Sequence, residues 1–499
     1  MRTFVPLSSL AVCLSSGLAL AQPAPAPSPV APAPAPAAAP PAAATAPAAE
    51  PPKSKAQTVI EEKLHAMRSG QGLTADEAAR RAAESSAQVA AKRAAIESTE
   101  AGITQTKYAF WPKLKLTASY TRLAPLDMDQ FDLASFGPLG STFIKDLPNV
   151  VNFAADLNVP LSDYLLRLSG AMRGSKRSRE AARADELATQ AAVARDTRVA
   201  YYQWVRAQAR EIIALSSLEQ ARAHQQDATN AFQAGLVSKA DVLQAEAAVK
   251  NAELFGEQAK NAAALGALGL RVAMHDPTST TYQVGEDIFA ETPELLQLPA
   301  VEVAYREALA TRAELKSLGA LSDALRAQAD TERAAAWPRL DAFGNVSLSN
   351  PNQRYFPPSD KFIPDWRVGV ALTWVPTDIG VASGAAGVAE AKARELEAQA
   401  RALKDGLRLE VEQALKAAEE ARFAIGVTHH GAAAAEESYR VRRELFRAGR
   451  ATLSEVTDSE SALTTARLQM ADAHVAARIA LAQLRHALGR DQRKAGTGP

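Results

Sequence analysis

The sequence predicts a mainly helical protein with a small β part, in which one helix–strand–strand–long-helix unit occurs twice. Composition is the first indication: 47% of residues are hydrophobic but only 6% are aromatic, which suits long helices packed in thin layers. An internal repeat and a strict alternation of apolar and polar residues in short segments are the other two. Equal numbers of basic and acidic side chains, 56 of each, argue against a nucleic-acid-binding protein, which would carry a basic excess.

The first 57 residues predict export followed by an extended tether. Residues 1–21 have the pattern of a cleaved signal peptide, with Arg2 before an apolar run and the small-x-small site Ala19–Ala21. Cys13, the single cysteine of the chain, lies inside this segment; its lipidation is an open alternative. Residues 22–57 are rich in alanine and proline without apolar periodicity, which is typical of a disordered tether.

The internal repeat covers nearly all of the remaining chain. Trp111–Leu114 recurs as Trp337–Leu340, a shift of 226 positions, and Phe232–Gly235 recurs as Phe446–Gly449, a shift of 214. Such self-similarity indicates a duplicated architectural unit. The predicted divisions are a first repeat at 58–298, a second repeat at 299–490 and a flexible tail at 491–499.

Each unit has the same predicted order of elements. A helical stretch ends at Trp-Pro, because proline cannot continue a helix, and two strands follow. A long helix then starts at an N-cap residue, runs to a glycine tip and returns as a shorter helix. The predicted segments are helices 74–108 and 301–336, N-caps at Ser162 or Asp163 and at Thr377 or Asp378, helical hairpins 162–273 and 378–488, and a proline-bearing equatorial segment 274–298.

The four strands predict a membrane role. They lie near 114–123, 150–159, 340–348 and 366–374, about the length of tilted strands that cross a bilayer. No run of 18 apolar residues follows the signal segment, so any membrane-spanning elements are expected to be strands. Four strands cannot close a barrel, and open edges in hydrocarbon are costly, so several chains would have to pool their strands. A half-buried sheet in a soluble protein would show the same alternation. Trp366 and Trp374 are predicted membrane-interface residues, and loops 124–149 and 349–365 are expected to face outside.

These residues together resemble the TolC family of outer-membrane efflux and secretion ducts. The resemblance spans residues 74–490 and depends on the duplicated unit, the Trp-Pro-x-Leu strand entries and the two tips. It implies a homotrimer, with a 12-stranded β-barrel in outer-membrane lipid and a 12-helix α-barrel across the periplasm. A periplasmic adaptor and an inner-membrane transporter of the RND, ABC or MFS type would be its partners, and the chain would be a passive exit duct.

The resemblance also implies two sites. Glycine permits the tight reversals at the tips, where the adaptor would dock, and a ring of carboxylates at the closed pore end would bind cations and select against anions. The sequence departs from the family pattern at the tip, where Phe446 replaces a tyrosine and arginine stands at 450 rather than 451, so the gate-opening mechanism stays open. The implied residues are Gly235, Leu236, Gly449 and Arg450 for docking, and Glu455, Asp458 and Asp241 for the gate.

Enzyme signatures are missing from the sequence. It contains no phosphate-binding loop, no Gly-x-Ser-x-Gly elbow and no His-Glu-x-x-His motif, and its seven histidines are scattered. We therefore predict no catalytic residues, no cofactor and no metal site. The alternative function is a soluble periplasmic coiled-coil scaffold, in which the strands would form a small sheet. Neither the transported substrate nor the associated pump can be predicted from these residues.

Overall fold

The computed structural model describes residues 72–124, 147–277, 282–356 and 358–492. The predicted signal peptide 1–21, the tether 22–57 and Cys13 lie outside these residues, as does most of the predicted outer loop 124–149.

The helices follow the predicted order and form two long hairpins. The longest, α4 and α8, contain 66 and 70 residues, which corresponds to about 100 Å each at 1.5 Å per residue. Each is packed along its tip half by a return helix of 35 residues. The helices are α1 Ala75–Ser85, α2 Ala87–Ala109, α3 Leu161–Leu166, α4 Leu168–Gln233, α5 Lys239–Ala273, α6 Val301–Thr311, α7 Ala313–Ala334, α8 Asp378–Arg447 and α9 Leu453–Ala487.

The helical stretches predicted as continuous over 74–108 and 301–336 are each interrupted once. Ser86 separates α1 from α2 and Arg312 separates α6 from α7, each with an extended backbone (ψ 127° and 120°). The Ser86 hydroxyl accepts a hydrogen bond from the amide of Gln88, as an N-cap residue does. The interruption falls at the same place in both repeats, 226 positions apart.

The predicted N-cap position of the long helix is wrong in the first repeat and correct in the second. In the first repeat the helix begins at Leu161 directly after Pro160, without a side-chain cap, and Arg167 separates the short α3 from α4. The Ser162 hydroxyl instead accepts from the amide of Leu340 at 3.0 Å. In the second repeat Thr377 occupies the cap position before α8, but its side chain makes no capping hydrogen bond.

The four strands form one antiparallel sheet in the order β1-β2-β3-β4. Each segment coincides with a predicted strand to within a few residues. Within the described part of the chain, the outer edges of β1 and β4 pair with no other strand. The strands are β1 Lys113–Arg122, β2 Asn149–Pro160, β3 Arg339–Asn350 and β4 Ile363–Thr373.

The largest buried clusters lie midway along the long helices, where the shorter helices meet. In the first repeat, Tyr201 and Trp204 of α4 are almost fully buried with Leu270 and Met274 at the end of α5. A second cluster holds Leu415 of α8 with residues at the end of α9. These cores fix the level at which α1 and α6 join the hairpins.

The folded part of the chain extends slightly beyond the predicted boundary at 490. Arg490–Gln492 form a 3-10 turn, and the Asp491 carboxylate accepts from Arg198 Nη1 at 3.0 Å. Asp491 therefore belongs to the packed structure and not to a flexible tail. Among the described helices, none is long and apolar enough to cross a membrane.

Candidate functional site

One face of the sheet is apolar and largely exposed. Residues paired across strands share a face, and the row Leu116, Ala155, Val346 and Trp366 is continuous across all four strands. Trp366 is 68% exposed and Val368 74%, so the described part of the chain leaves both side chains uncovered. Contiguous exposed apolar surface of this kind marks a contact with a membrane or a partner. Its exposed members are Leu114, Leu116, Tyr120, Phe153, Leu157, Leu340, Val346, Leu348, Trp366, Val368, Val370 and Leu372.

The opposite face of the same sheet is polar. Lys115, Asp156, Asn345 and Arg367 are neighbours across the four strands, and the Asn345 amide donates to Asp156 Oδ1 at 2.7 Å. At the loop end, Arg354 Nη1 donates to Asp365 Oδ1 at 3.0 Å. The alternation predicted from the sequence thus gives one face that suits hydrocarbon and one that suits water.

At the far end of the hairpins, both tips have the same backbone construction. Gly235 and Gly449 have φ of 73° and 68°, the left-handed conformation that glycine adopts without strain. In each tip the glycine amide and the next amide donate back to carbonyls of the long helix, which is a Schellman motif. Leu236 is 78% exposed, and Gly235, Gly449 and Arg450 are exposed with it. The four residues implied for adaptor docking are therefore on the surface.

Two of the three implied gate residues also begin the return helices. Asp241 accepts from the amide and hydroxyl of Ser238 at 2.8 and 2.7 Å, and Glu455 accepts from the amide of Thr452 at 3.1 Å. In return, the Ser238 and Thr452 hydroxyls accept from the Asp241 and Glu455 amides, which completes a capping box in each tip. The hydrogen bonds from Ser238 hold the pKa of Asp241 below its ordinary value.

The second tip carries more charge than the first. Asp458, one turn after Glu455 on α9, is exposed, and the equivalent position in the first repeat is Gln244. Glu455 lies 3.7 Å from Arg442 Nη1 of α8. Glu455 and Asp458 therefore lie on one exposed turn of α9, and Asp241 occupies the position equivalent to Glu455 in the other hairpin.

An apolar contact joins the two tips, and none of its residues is among the predicted site residues. Leu453, 2% exposed, packs against Ala228 of α4 and Ala245 of α5. Phe446, which departs from the family pattern, packs against this cluster and against a second cluster inside the second hairpin. The position of Leu453, an apolar residue directly after a capping threonine, is the sequence feature that indicates this contact.

Within the described residues, no group of three or more histidine, cysteine, aspartate or glutamate side chains is arranged to hold a metal ion.

Comparison with known proteins identifies the family. A family model described as "Outer membrane efflux protein" matches residues 78–274 and 304–490, which together make up well over half of the chain. The chain belongs to the outer membrane efflux protein family. The two matched segments lie within the two predicted repeats, and the predicted resemblance is confirmed.

Solved structures of outer-membrane channels have the same fold. The CmeC outer membrane channel of Campylobacter jejuni is 16% identical, covers 84% of this chain and 86% of its own, and has a TM-score of 0.69. The outer membrane protein VceC of Vibrio cholerae is 16% identical, with coverages of 83% and 96% and a TM-score of 0.69. The open state of the Neisseria gonorrhoeae MtrE channel is 16% identical, with coverages of 85% and 91% and a TM-score of 0.66. No curated protein sequence matches the chain significantly.

Family membership decides between the two functions left open by the sequence. The chain is an outer-membrane efflux protein, and the soluble scaffold is not supported. The family is one of transport ducts rather than enzymes.

Proposed function

We propose that this chain is one protomer of a homotrimeric exit duct, which receives substrates from an inner-membrane transporter and releases them outside the cell. The observation that carries the proposal is the open four-stranded sheet, with one exposed apolar face and one polar face. Three copies would supply twelve strands, enough for a closed barrel whose apolar face meets lipid and whose polar face lines a water-filled lumen.

Closure of the sheet supports assembly over insertion of a single chain. Among the described residues no strand pairs with the outer edges of β1 and β4, and each unpaired backbone amide or carbonyl costs several kcal/mol in hydrocarbon. Pairing β1 of one copy with β4 of the next removes both edges at once. Trp366 and Trp374, 68% and 53% exposed, would then lie at the membrane–water interfaces, where tryptophan is enriched.

The helices carry apolar stripes that assembly would also cover. On α5 the exposed large apolar residues follow one face, and on α8 a similar set is exposed. A twelve-helix barrel would bring such faces of neighbouring copies together. The stripe residues are Leu243, Leu254, Leu265 and Val272 on α5, and Val381, Val388, Leu409 and Phe423 on α8.

The tips are the proposed docking and gating region. The exposed turns at Gly235–Leu236 and Gly449–Arg450 would meet the helical hairpins of a periplasmic adaptor, which connects the duct to the transporter. Glu455 and Asp458 of three copies would place six carboxylates around the pore end, and Asp241 would add three. Such a ring concentrates negative potential, binds cations and disfavours anions.

Substitutions on adjacent residues of β4 test the proposal. Val370 is on the apolar face and 69% exposed, whereas Ala371 is on the polar face. An arginine on the lipid face near the bilayer midplane costs about 2–4 kcal/mol per chain. We therefore expect Val370→Arg to abolish the trimer in outer-membrane fractions, as judged on gels without boiling, and Ala371→Arg to preserve it. Equal behaviour of the two variants, or recovery of the unaltered protein as a soluble monomer, would contradict a lipid-facing sheet.

A further inference from the structure

Three buried polar side chains meet where the two hairpins touch. They are His224 of α4, Tyr439 of α8 and Glu460 of α9, which are 4%, 9% and 7% exposed. His224 Nε2 lies 2.8 Å from the Tyr439 hydroxyl and 3.6 Å from Glu460 Oε2. The cluster therefore connects the first hairpin to both helices of the second.

The cluster lies close to the proposed gate. His224 precedes the end of α4 by nine residues, and Glu460 follows the start of α9 by seven, so both lie about 10–14 Å from the tips. Any movement that separates the hairpins at the pore end must break or bend this contact.

The cluster is not part of the duplicated architecture. At the 214-residue shift, His224 corresponds to Ser438, and Glu460 corresponds to Glu246, which is exposed on α5. A glutamate that is exposed in one repeat is thus buried against a histidine in the other.

Burial of two titratable groups without full hydrogen bonding needs an explanation. Among the described residues, His224 Nδ1 and Glu460 Oε1 are buried without a hydrogen-bond partner. Burying a charge is costly unless it is paired. Burial raises the pKa of Glu460 to about 7, against the opposing effect of Arg443. Burial and Arg443 both lower the pKa of His224, so the neutral acid beside the neutral imidazole is the favoured state.

The charged groups around the cluster come from all three helices. Asp227 of α4 favours protonation of His224, while Arg443 and Arg447 of α8 oppose it. Burial and Glu460 raise the pKa of Tyr439 further above neutrality, and Arg467 of α9 opposes this shift. Only His224 and Glu460 within the cluster therefore exchange protons between pH 4.5 and 7.

We propose that His224 and Glu460 together carry one proton, and that this pair joins the two hairpins with a strength that stays constant between about pH 4.5 and 6.5. When the hairpins separate and the groups regain ordinary pKa values of 4.5 and 6.5, the pair still binds one proton at any pH between those values. Opening the contact then neither releases nor takes up a proton, so its free energy has no pH slope.

Removing either partner should reveal slopes of opposite sign. With His224→Gln, the remaining buried Glu460 keeps its proton up to about pH 7, but a separated glutamate loses it near 4.5, so the contact weakens as pH rises. With Glu460→Gln, burial keeps the pKa of His224 below that of a separated histidine, so separation of the hairpins takes up a proton and the contact weakens as pH falls.

Hydrogen exchange of the assembled protein tests this proposal. We would measure the backbone amides of residues 225–233 at pH 5, 5.8 and 6.5 and correct them for intrinsic exchange rates. We expect unchanged protection in the unaltered protein, about a tenfold or greater loss from pH 5 to 6.5 in His224→Gln, and a loss from pH 6.5 to 5 in Glu460→Gln. The double variant should show lower protection at every pH, without a slope.

Tyr439→Phe is the matched control, because it removes a hydrogen bond from the cluster but no group that titrates in this range. It should lower protection equally at all three pH values. A pH slope in the unaltered protein, or single variants whose slopes share a sign or are absent, would overturn the shared proton. If a variant fails to assemble, a pH slope in the unaltered protein would by itself still overturn the proposal.

The consequence for gating depends on the proposed function and is measured separately. In planar bilayers, the open probability should rise with pH in His224→Gln and fall with pH in Glu460→Gln, because a weaker contact lets the hairpins separate more often. A protein without channel activity but with opposite exchange slopes would contradict the duct and leave the shared proton intact.

Discussion

The two repeats of this chain share their backbone construction but differ in the side chains that stabilise it. Both tips combine a left-handed glycine with a capping box that starts five residues after the long helix ends. The interruption in the shorter helices is different: Ser86 fills it in the first repeat with a capping hydroxyl, and Arg312 fills it in the second. Duplication therefore preserved the turns, while the residues between them diverged.

Arg312 shows how far the divergence goes. Its guanidinium is 6% exposed and contacts Glu314 at 3.0 Å and Glu410 of α8 at 2.9 Å. It also donates to the carbonyl of His486 at the end of α9 at 3.3 Å. The two carboxylates raise the pKa of Arg312 despite the opposing effect of burial. One side chain thus joins three helices of the second repeat, where the first repeat uses a local hydrogen bond.

The largest expected effect is therefore at Arg312. Arg312→Ala removes the hydrogen bonds to Glu314, Glu410 and the His486 carbonyl, and the loss of a hydrogen bond to a charged group costs about 1.5–3 kcal/mol. Ser86→Ala at the equivalent position removes one cap, at about 1 kcal/mol. Denaturant titration of both variants, monitored by helical circular dichroism, measures the difference. Similar losses of stability would show that the two interruptions are equivalent after all.

The tip glycines should have intermediate and equal effects. A Cβ at either Gly235 or Gly449 would meet no atom within 4 Å, so the cost of alanine comes from the left-handed backbone alone, about 1–2 kcal/mol. Gly256→Ala is the control, because it lies inside α5 with open space around it; it should stabilise the protein by about 0.5–1 kcal/mol. A much larger loss at only one tip would contradict the shared construction.

The gate variants should have the smallest effect on stability. Their effects on cation block should differ between the two tips, because the tips differ in charge. Glu455→Gln with Asp458→Asn keeps oxygen acceptors at both positions, so stability should change by less than about 0.5 kcal/mol. Cation block of the pore in planar bilayers should weaken strongly in this variant and less with Asp241→Asn, because the second tip carries two of the three carboxylates. Equal block in all three proteins would remove the gate assignment without affecting the fold.

The sequence predicted the strands and tips well because local chemistry determines both. Apolar and polar residues alternate over nine or more positions in each strand. Trp-Pro precedes β1 and β3, and a proline closes β2 and β4, so the pattern predicts all four strands closely. A glycine followed three residues later by serine or threonine defined the turns. The start of the first long helix could not be predicted, because the Ser162 hydroxyl accepts a hydrogen bond from a distant amide of β3. Arg312 and the cluster of His224, Tyr439 and Glu460 depend on contacts between helices far apart in sequence, which a local pattern does not reveal.

The uncovered apolar face of the sheet also bears on how the protein is made. A newly exported copy enters water with Trp366, Val368 and their neighbours exposed, next to two strand edges that can pair with any extended chain. Until further copies and lipid arrive, aggregation competes with assembly. Delivery to the membrane therefore requires either a low concentration of free chains or a holding chaperone that shields this surface during transit.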